Sequence, residues 1–295
     1  MKVIPGPASA ELGRKIAIEL GVEALTVHHK LFPDGESYIR LDGSVKGEKV
    51  LIVQTTSHPQ DTRLIQLLQL TATAKDYGAE KITCCVPYLA YSRQDKRFLE
   101  GEAESLKIVL KLIESTGVDD LIVIDIHNEE SLKRWEGVMQ IWNLSATPII
   151  ADHLKKMGLY GAYSLGPDKG AIRLVKMADN VLKGGYGFFE KERDRITGGI
   201  QMTIKEVDVG GRDVIVFDDI ISSGGTMAKA VSLLRSHGAR RIVAACTHGL
   251  LTGDAERLIT NAGAEFIIAT DSVPSKFSSV SVAPIVAQHL RKIGY

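Results

Sequence analysis

The chain has 295 residues, a length that favours two domains over one. Hydrophobic residues make up 44% of it, which is enough for a core in each domain. Lys and Arg together number 36, and so do Asp and Glu, so the net charge is zero. This balance excludes a general nucleic-acid binder, which normally carries a basic excess, and any phosphate site must therefore be local.

Cysteine usage and the N-terminus indicate a cytoplasmic protein. The chain has three cysteines, Cys84, Cys85 and Cys246, an odd number without CxxC spacing. We therefore expect buried free thiols, with neither disulfides nor a zinc site. The stretch "MKVIPGPASA" at the N-terminus has no long apolar run and does not resemble a signal peptide. No window approaches about 18 uninterrupted apolar residues, so we expect no membrane span.

The first predicted elements are a strand, a loop and a helix over residues 2–21. From Val50 an apolar strand runs into a polar loop, an amphipathic helix, a Gly-Ala pair and a second apolar strand. Gly78 stands where a glycine normally ends a helix. The predicted buried face of this helix is Leu64, Leu67, Leu68 and Thr71. The pattern predicts two parallel strands joined by a right-handed helical crossover.

The middle of the chain adds three predicted pieces. Residues 120–127 form a buried strand, and residues 161–179 form a strand, a loop and a helix. Residues 187–205 are typical of a β-hairpin or flap with a charged tip.

The pattern of the Val50 stretch returns from Val214, and residues 265–270 add a late strand. In this second copy Gly238 ends the helix, and the predicted buried face is Met227, Ala230, Val231 and Leu234. We therefore predict an α/β fold of two similar domains, residues 1–145 and 146–295, each a mostly parallel sheet flanked by helices. The second domain would carry the hairpin flap, and the C-terminal tail would pack on the first.

The stretch "DVIVFDDIISSGGTM" places two acids just before a loop suited to an anion. The apolar run Val214–Phe217 is predicted to be a buried strand that ends at Asp218 and Asp219. Ligands of such sheets bind beyond the carboxyl ends of the strands, so the two acids would face a ligand. Residues 222–226 then open a helix, whose N-terminus favours a phosphate. The two carboxylates would repel a phosphate, so a sugar phosphate with hydroxyls for them is the expected ligand. The alternative is a helix cap with a glycine-rich turn.

This loop and five further motifs resemble one enzyme family. The segment "VIVFDDIISSGGT" resembles the phosphoribosyl diphosphate (PRPP) binding signature of type I phosphoribosyltransferase folds. The other motifs are similar to those of the ribose-phosphate diphosphokinases, also called PRPP synthetases, whose two domains resemble each other. These motifs are "FPDGESYIR" (Phe32–Arg40), "PYLAYSRQDKRF" (Pro87–Phe98), "DIH" (Asp125–His127), "GPDKGA" (Gly166–Ala171) and "EKERD" (Glu190–Asp194). The resemblance implies transfer of the diphosphoryl group of ATP to the 1-hydroxyl of D-ribose 5-phosphate, giving PRPP and AMP.

The resemblance implies an ATP site on the first domain. Its implied residues are Phe32, Asp34, Gly35, Glu36, Arg93, Gln94, Asp95 and His127. Phe32 would stack on adenine from a loop that a neighbouring subunit supplies, so a homo-oligomer is implied. His127 and Asp168 would contact Mg²⁺, the implied cofactor.

The resemblance also implies a ribose 5-phosphate site on the second domain. Its implied residues are Arg193, Asp218, Asp219, Ser222, Ser223, Gly224, Gly225 and Thr226. Lys191 and Arg193 would be catalytic cations on a flexible loop that closes over the phosphates. Many members have an acid where this chain has Ser222, which puts metal use or affinity in doubt but not the reaction class.

Two other functions stay open from the sequence. A phosphoribosyltransferase that consumes PRPP would use the same loop, but it needs no ATP half, so "FPDGES" and "YSRQDK" weigh against it. A non-catalytic regulatory relative would have lost its loop cations, yet Lys191 and Arg193 are present. Taken singly, each motif also has a structural interpretation, such as a turn, a solvated loop or a histidine that ends a strand.

Overall fold

The computed structural model describes residues 1–193, 200–203 and 209–295, with the backbone alone for 191–193 and 200–203. The chain divides into two compact units. The first unit consists of Met1–Ser145, Ser272–Pro274 and Ser281–Tyr295. The second consists of Ala146–Asp271 and Ser275–Val280.

The first unit is built on a parallel sheet. Its strands are β1 (Lys2–Pro5), β2 (Glu23–Ala24), β3 (Thr26–Leu31), β4 (Ser37–Asp42), β5 (Lys49–Val53), β6 (Lys81–Val86), β7 (Asp120–Ile124) and β8 (Gln140–Leu144). Its helices include α1 (Ala10–Leu20), α2 (Gln60–Asp76) and α3 (Ser105–Ser115), and a 3-10 helix covers Glu129–Arg134. Six strands pair in parallel in the order β2-β1-β5-β6-β7-β8. Strands β5, β6 and β7 are almost wholly buried, as expected where helices cover both faces of a sheet.

Strands β3 and β4 form an antiparallel hairpin beside this sheet. Val27 pairs with Leu41, and both of them, with Ile39, pack against the core of the first unit. On β4 the inward Ile39 and Leu41 alternate with exposed residues, whereas on β3 every residue except Val27 is exposed. The hairpin thereby holds the "FPDGES" motif at its tip.

A buried amide network fixes the loop that follows β5. Gln54 is fully buried, and its Oε1 accepts a hydrogen bond of 2.9 Å from the N–H of Ala8. Its Nε2 donates to the carbonyl of Arg63 and to Oε1 of Gln66, both at 3.3 Å. The side chain therefore joins the start of α1 to α2, as a buried amide must have partners on each side.

The second unit repeats the plan. Its strands are β9 (Tyr163–Gly166), β10 (Tyr186–Phe188), β11 (Glu190–Arg193), β12 (Ile200–Thr203), β13 (Asp213–Ile221), β14 (Arg241–Gly249), β15 (Phe266–Thr270) and β16 (Ser278–Val280). Its helices are α4 (Thr147–Leu154), α5 (Ile172–Leu182), α6 (Gly225–Ser236) and α7 (Ala255–Asn261), with a π-helical turn at Lys155–Leu159 and a 3-10 helix at Lys169–Ala171. Six strands pair in parallel in the order β10-β9-β13-β14-β15-β16, and β11 pairs with β12 in antiparallel fashion. The predicted α/β class with parallel sheets and a hairpin is confirmed.

Residues 281–295 return to the first unit. Helix α8 (Ala283–Lys292) packs against α1, and the Arg291 guanidinium donates to the carbonyl of Glu19. The hydroxyl of Tyr295 donates to Oδ2 of Asp120 at 3.2 Å, beside the start of β7. These contacts tie the tail to both a helix and the sheet.

The two copies of the strand-helix-strand pattern end their helices in the same way. Gly78 and Gly238 have φ of 81° and 78°, values that a side chain disfavours. In each copy the N–H of the following alanine donates to the carbonyl five residues earlier, at 3.0 Å after α2 and 3.1 Å after α6. This is the Schellman arrangement, and it closes the helix on an apolar contact. The predicted buried face of α6 is confirmed. Of the four residues predicted to be buried on α2, three are buried and Leu68 is partly exposed.

Two predicted strand ends are wrong. β7 stops at Ile124, short of His127, because Asp125 has a φ of 35° and turns the chain out of the sheet. β13 does not stop at Phe217 but continues to Ile221. Its partner β14 is just as long, so the pairing carries Asp218 and Asp219 along with the strand.

The three cysteines are free and buried, as expected from the sequence. Burial raises the pKa of Cys84 and of Cys246 well above the ordinary thiol value, so neither forms a thiolate near neutral pH. Among the helices in the described part of the chain, none is long and apolar enough to cross a bilayer.

We expect the stability of the first unit to fall below pH ~6.5 through His289. Its ring lies 5.0 Å from the ring of Trp142, and within the described residues its buried Nε2 has no hydrogen-bond partner. Burial lowers the pKa of His289, Lys292 lowers it further, and Asp120 partly opposes both. Above the ordinary pKa both states are neutral. As the pH falls through that value, the unfolded chain binds a proton that the folded chain resists, so folding loses free energy.

Urea unfolding at about pH 8 and about pH 5.5 tests this, with a largest slope of about 1.4 kcal/mol per pH unit from this one group. The loss should be smaller in His289→Gln than in the unchanged chain. Equal losses in the two proteins would contradict it.

Candidate active site

The two acids of the second unit lie near the end of β13. Strand β9 pairs with β13 over Val214, Ile215 and Val216, and β13 then runs on beside β14. Asp218 and Asp219 are therefore partly exposed where the neighbouring strand has ended. The Oδ1 of Asp218 accepts a hydrogen bond of 3.0 Å from the N–H of Asp219. The pair therefore lies within β13, three and two residues before its end, and not beyond the strand tip as the sequence predicts; it is still close to the carboxyl end of the strand, where ligands of such sheets bind.

A third acid comes close to this pair. Asp168 follows β9, and its Oδ1 accepts a hydrogen bond of 2.9 Å from the N–H of Gly170. Burial raises the pKa of Asp218 well above its ordinary value, and the charges of Asp219 and Asp168 raise it further. Negative charge is therefore concentrated around Asp218, and a cation or a set of hydroxyl donors would stabilise its carboxylate form.

Residues 222–226 form the loop that opens α6, which we call the α6 loop. Gly224 caps the helix with a φ of 78°, and within the described chain no side chain caps the first-turn N–H groups. The side chains of Ser223 and Thr226 are exposed beside them. Free N–H groups at a helix N-terminus attract an anion.

The α6 loop is braced by the segment that follows β14. The N–H of Leu251 donates to the carbonyl of Ile221, and the N–H of Thr252 donates to the carbonyl of Ser222, both at 3.0 Å. A side chain on Gly224 would meet Ala255 at 3.0 Å. The sequence does not reveal this brace, since the contacts of the brace are made by backbone atoms and a small side chain.

The loop after β6 carries Arg93 and Gln94, both exposed. Both the backbone and the side chain of Gln94 are held by the first turn of α3. The carbonyl of Gln94 accepts a hydrogen bond from the N–H of Leu106, and its Oε1 accepts one of 2.5 Å from the hydroxyl of Ser105. The Arg93 guanidinium is thus presented to solvent from a loop with a fixed backbone.

Asp95, in the same loop, is buried with only 6% of its surface exposed. Its Oδ2 accepts hydrogen bonds from Nδ2 of Asn128 at 2.6 Å and from Nη2 of Arg134 at 3.3 Å. The same Nη2 donates to the carbonyl of Asp95 at 2.9 Å. The loop after β6 is thereby joined to the loop after β7, where the side chain of His127 is exposed.

The hairpin tip carries the remaining first-unit candidates. The N–H of Phe32 donates to the carbonyl of Glu36, Gly35 turns the chain with a φ of 95°, and Oδ1 of Asp34 accepts from the N–H of Glu36 at 3.2 Å. Phe32 is 39% exposed, and Nζ of Lys30 lies 4.7 Å from the centroid of its ring. A partly exposed aromatic ring at a tight turn has the chemistry of a stacking platform.

The base of this tip is held by α2. Nε2 of Gln66 donates to the hydroxyl of Ser37 at 3.2 Å, and Nε2 of Gln69 donates to its carbonyl at 3.0 Å. The contacts of Gln66 and Gln69 are not among the predictions from the sequence, although polar residues on the inner side of a packed helix signal a buried partner.

The predicted catalytic cations Lys191 and Arg193 lie on β11, in register with Met202 and Ile200 of β12. Their side chains, and the whole of Asp194, lie outside the described residues. The base of the hairpin is anchored by Phe189, which is buried and whose N–H donates to the carbonyl of Gly166 at 3.0 Å. Gly166 lies two residues before Asp168, so the hairpin begins next to the acids.

His127 and Asp168 are the candidate residues for Mg²⁺. In the described part of the chain, no three His, Cys, Asp or Glu side chains form a ready metal cage. Magnesium binds oxygen, keeps several waters and usually takes one or two carboxylates plus substrate phosphates. Asp168 offers one such oxygen ligand, and the exposed ring of His127 can hydrogen-bond to a water of the ion, so both residues fit an ion held mainly by waters and substrate phosphates.

Comparisons with known proteins match the chain over nearly its whole length. Residues 1–117 match the N-terminal domain of ribose phosphate pyrophosphokinase, and residues 200–293 match the phosphoribosyl synthetase-associated domain. The ribose-phosphate pyrophosphokinase of Sulfurisphaera tokodaii is 39% identical over 98% of this chain and 100% of its own length. That of Saccharolobus solfataricus is 40% identical over 92% of this chain and 93% of its own.

One solved structure is similar throughout. The phosphoribosylpyrophosphate synthetase of Mycobacterium smegmatis superposes with a TM-score of 0.87 at 28% identity. The match covers 99% of this chain and 98% of that one.

Proposed function

The chain belongs to the ribose-phosphate pyrophosphokinase family, and from that premise we propose how its own residues make PRPP. The substrates are ATP and D-ribose 5-phosphate. The 1-hydroxyl of the sugar attacks the β-phosphorus of ATP, the bond from the bridging oxygen to that phosphorus breaks, and AMP leaves with the bridging oxygen. The hydroxyl proton is lost to solvent. A phosphoribosyltransferase that consumes PRPP would have no use for the matched first unit.

The sugar phosphate binds in the second unit. The N–H groups and hydroxyls of the α6 loop, from Ser222 and Ser223 through Gly224 and Gly225 to Thr226, bind the 5-phosphate. Asp218 and Asp219 accept hydrogen bonds from the ribose 2- and 3-hydroxyls. The observation that carries the proposal is the α6 N-terminus, whose first-turn N–H groups are capped by no side chain of the described residues, a few residues after the acidic pair Asp218 and Asp219.

ATP binds to the first unit. Arg93 and Gln94 contact its phosphates, since an exposed guanidinium on a fixed loop is well suited to phosphate. Phe32 stacks on the adenine, and Asp34, Gly35 and Glu36 contact the edge of the base. We further propose a cytoplasmic homo-oligomer in which this hairpin serves the site of a neighbouring subunit.

In this proposal Asp168 would supply an oxygen ligand to Mg²⁺ bound at the second unit, and His127 would contact the Mg²⁺ that accompanies ATP at the first unit. When bound, the ion neutralises phosphate charge and orients the phosphates for in-line attack. Lys191 and Arg193 close over the phosphates with the hairpin and exclude water, which limits wasteful hydrolysis of ATP.

Product analysis tests the assignment. Purified protein with Mg-ATP and ribose 5-phosphate should give equal amounts of AMP and PRPP by ³¹P NMR, and omission of ribose 5-phosphate should abolish AMP. A folded protein that forms no AMP in the presence of both substrates would support the non-catalytic alternative instead. PRPP consumption with a free base, without ATP, would support the transferase.

A further inference from the structure

We propose that Asp95 is a positioning residue, which holds the loop of Arg93 and Gln94 in register with the loop of His127 and does not itself contact ATP. The inference rests on the proposed function, because it concerns the ATP side of the same reaction. It assigns work to Asn128 and Arg134 as well, two residues that no motif singled out.

The first step is that the carboxylate of Asp95 is already engaged. It is 6% exposed, and its Oδ2 receives one hydrogen bond of 2.6 Å from Asn128 and one of 3.3 Å from Arg134. The backbone carbonyl of Asp95 receives a third bond, of 2.9 Å, from the same guanidinium. A buried carboxylate with charged and amide donors is strongly oriented, and it turns away from a polyanion that would repel it.

The second step concerns Asn128. Its Nδ2 donates to Asp95 while its Oδ1 accepts from the N–H of Glu130 at 3.2 Å. The two ends of one amide therefore have fixed roles, one toward the loop after β6 and one at the start of the 3-10 helix. Asn128 directly follows His127, so the orientation of its amide sets the path of the chain at the histidine.

The third step is that the other side of His127 is fixed as well. The N–H of Ile126 donates to Oδ1 of Asn143 at 3.0 Å, in β8. The histidine thus lies between two anchored residues, and the anchor at Asn128 ends on Asp95. Loss of that anchor moves His127 relative to Arg93, although neither side chain is changed. Binding of a ligand held by both loops is then weakened, because its contacts need both in place.

Substitutions at Asp95 and Asn128 test the inference. Asp95→Ala and Asn128→Ala should each raise KM and the calorimetric Kd for Mg-ATP about tenfold or more, as loss of an orienting partner commonly does. KM for ribose 5-phosphate should change less than about twofold. The double variant should be no worse than the poorer single one, because both break the same link.

The exchange variant Asp95→Asn with Asn128→Asp separates positioning from direct contact. It restores a carboxylate-amide hydrogen bond with the partners reversed, Arg134 lies beside the relocated carboxylate, and Asp still accepts from the N–H of Glu130. We expect Kd for Mg-ATP to recover to within about threefold of the original. A direct contact of Asp95 with ATP would not be rescued.

Lys133→Ala is the matched control. Lys133 lies on the same 3-10 helix, and its ion pair with Glu130, 2.6 Å long, is exposed, so its loss should leave Kd for Mg-ATP unchanged. An Asp95→Ala variant that binds Mg-ATP as well as this control, or an exchange variant without recovery, overturns the inference. If Asp95→Ala does not fold, Arg134→Gln replaces it with the same expected direction. Calorimetry needs no turnover, so an original protein that binds Mg-ATP but makes no PRPP counts against the function alone.

Discussion

Lys191→Ala should lower kcat by about 10³-fold, the usual scale for a cation that meets charge on a moving phosphoryl group. Lys191 is on β11, two residues after the buried Phe189, whose N–H bonds to the carbonyl of Gly166. Two extended residues span about 7 Å, so the hairpin starts within reach of Asp168, the acid that follows β9. If the cation acts mainly on the transition state, KM for both substrates should stay within about threefold.

The measurement is initial-rate formation of AMP and PRPP, with Kd for Mg-ATP determined separately. Lys111→Ala is the control, since Lys111 is an exposed lysine on α3 and its loss should leave kcat unchanged. A fall in kcat of less than about tenfold, with binding intact, would contradict a catalytic role for Lys191.

Gly224→Ala should destabilise the protein by about 1–3 kcal/mol and raise KM for ribose 5-phosphate about tenfold. The backbone of Gly224 has a φ of 78°, and an added Cβ would meet the Cα and carbonyl oxygen of Ala255 at 3.0 Å. The α6 loop can relieve this contact only by moving away from the brace at Thr252. Its N–H groups would then leave the position proposed for the 5-phosphate.

Gly225→Ala, one residue further on, is the matched control for stability. No described atom lies within 4 Å of its added Cβ, and its φ is in the ordinary range. Thermal unfolding should show a loss for Gly224→Ala and no loss for Gly225→Ala. Equal unfolding temperatures for the two variants would contradict the steric argument.

The sequence predicts the architecture well because its signals are local. The paired strand-helix-strand patterns, with Gly78 and Gly238 at the helix ends, specify parallel sheets without further information. The strand ends are less predictable, since they depend on a neighbour: β13 continues past Phe217 because β14 accompanies it. The β3–β4 hairpin was not predicted, although alternation around "FPDGES" was a usable signal.

The candidate site divides in the same way. Asp218 and the α6 loop were found because acids and glycines at a strand end are unusual in a packed sheet. The sequence does not point to Asn128 or Arg134, since their importance comes from a partner, Asp95, that lies more than thirty residues earlier in the chain. Spacing along the sequence carries no information about such a contact.

The two copies of the strand and loop differ at one informative position. Gln54 follows β5 where Asp218 follows the corresponding part of β13, and it is fully buried and bonded to Ala8 and Gln66. Asp218 instead faces two other carboxylates. Gln54 thus fixes its loop in the first unit, whereas the raised pKa of Asp218 marks a place where a metal ion or hydroxyl donors would stabilise the carboxylate form.

Equivalent positions in the two similar units thus serve stability in the first and, in the proposed function, ligand binding in the second. An apolar residue at Gln54 should cost folding free energy and spare the chemical step. An amide at Asp218 should do the reverse, giving a sturdier but poorer catalyst.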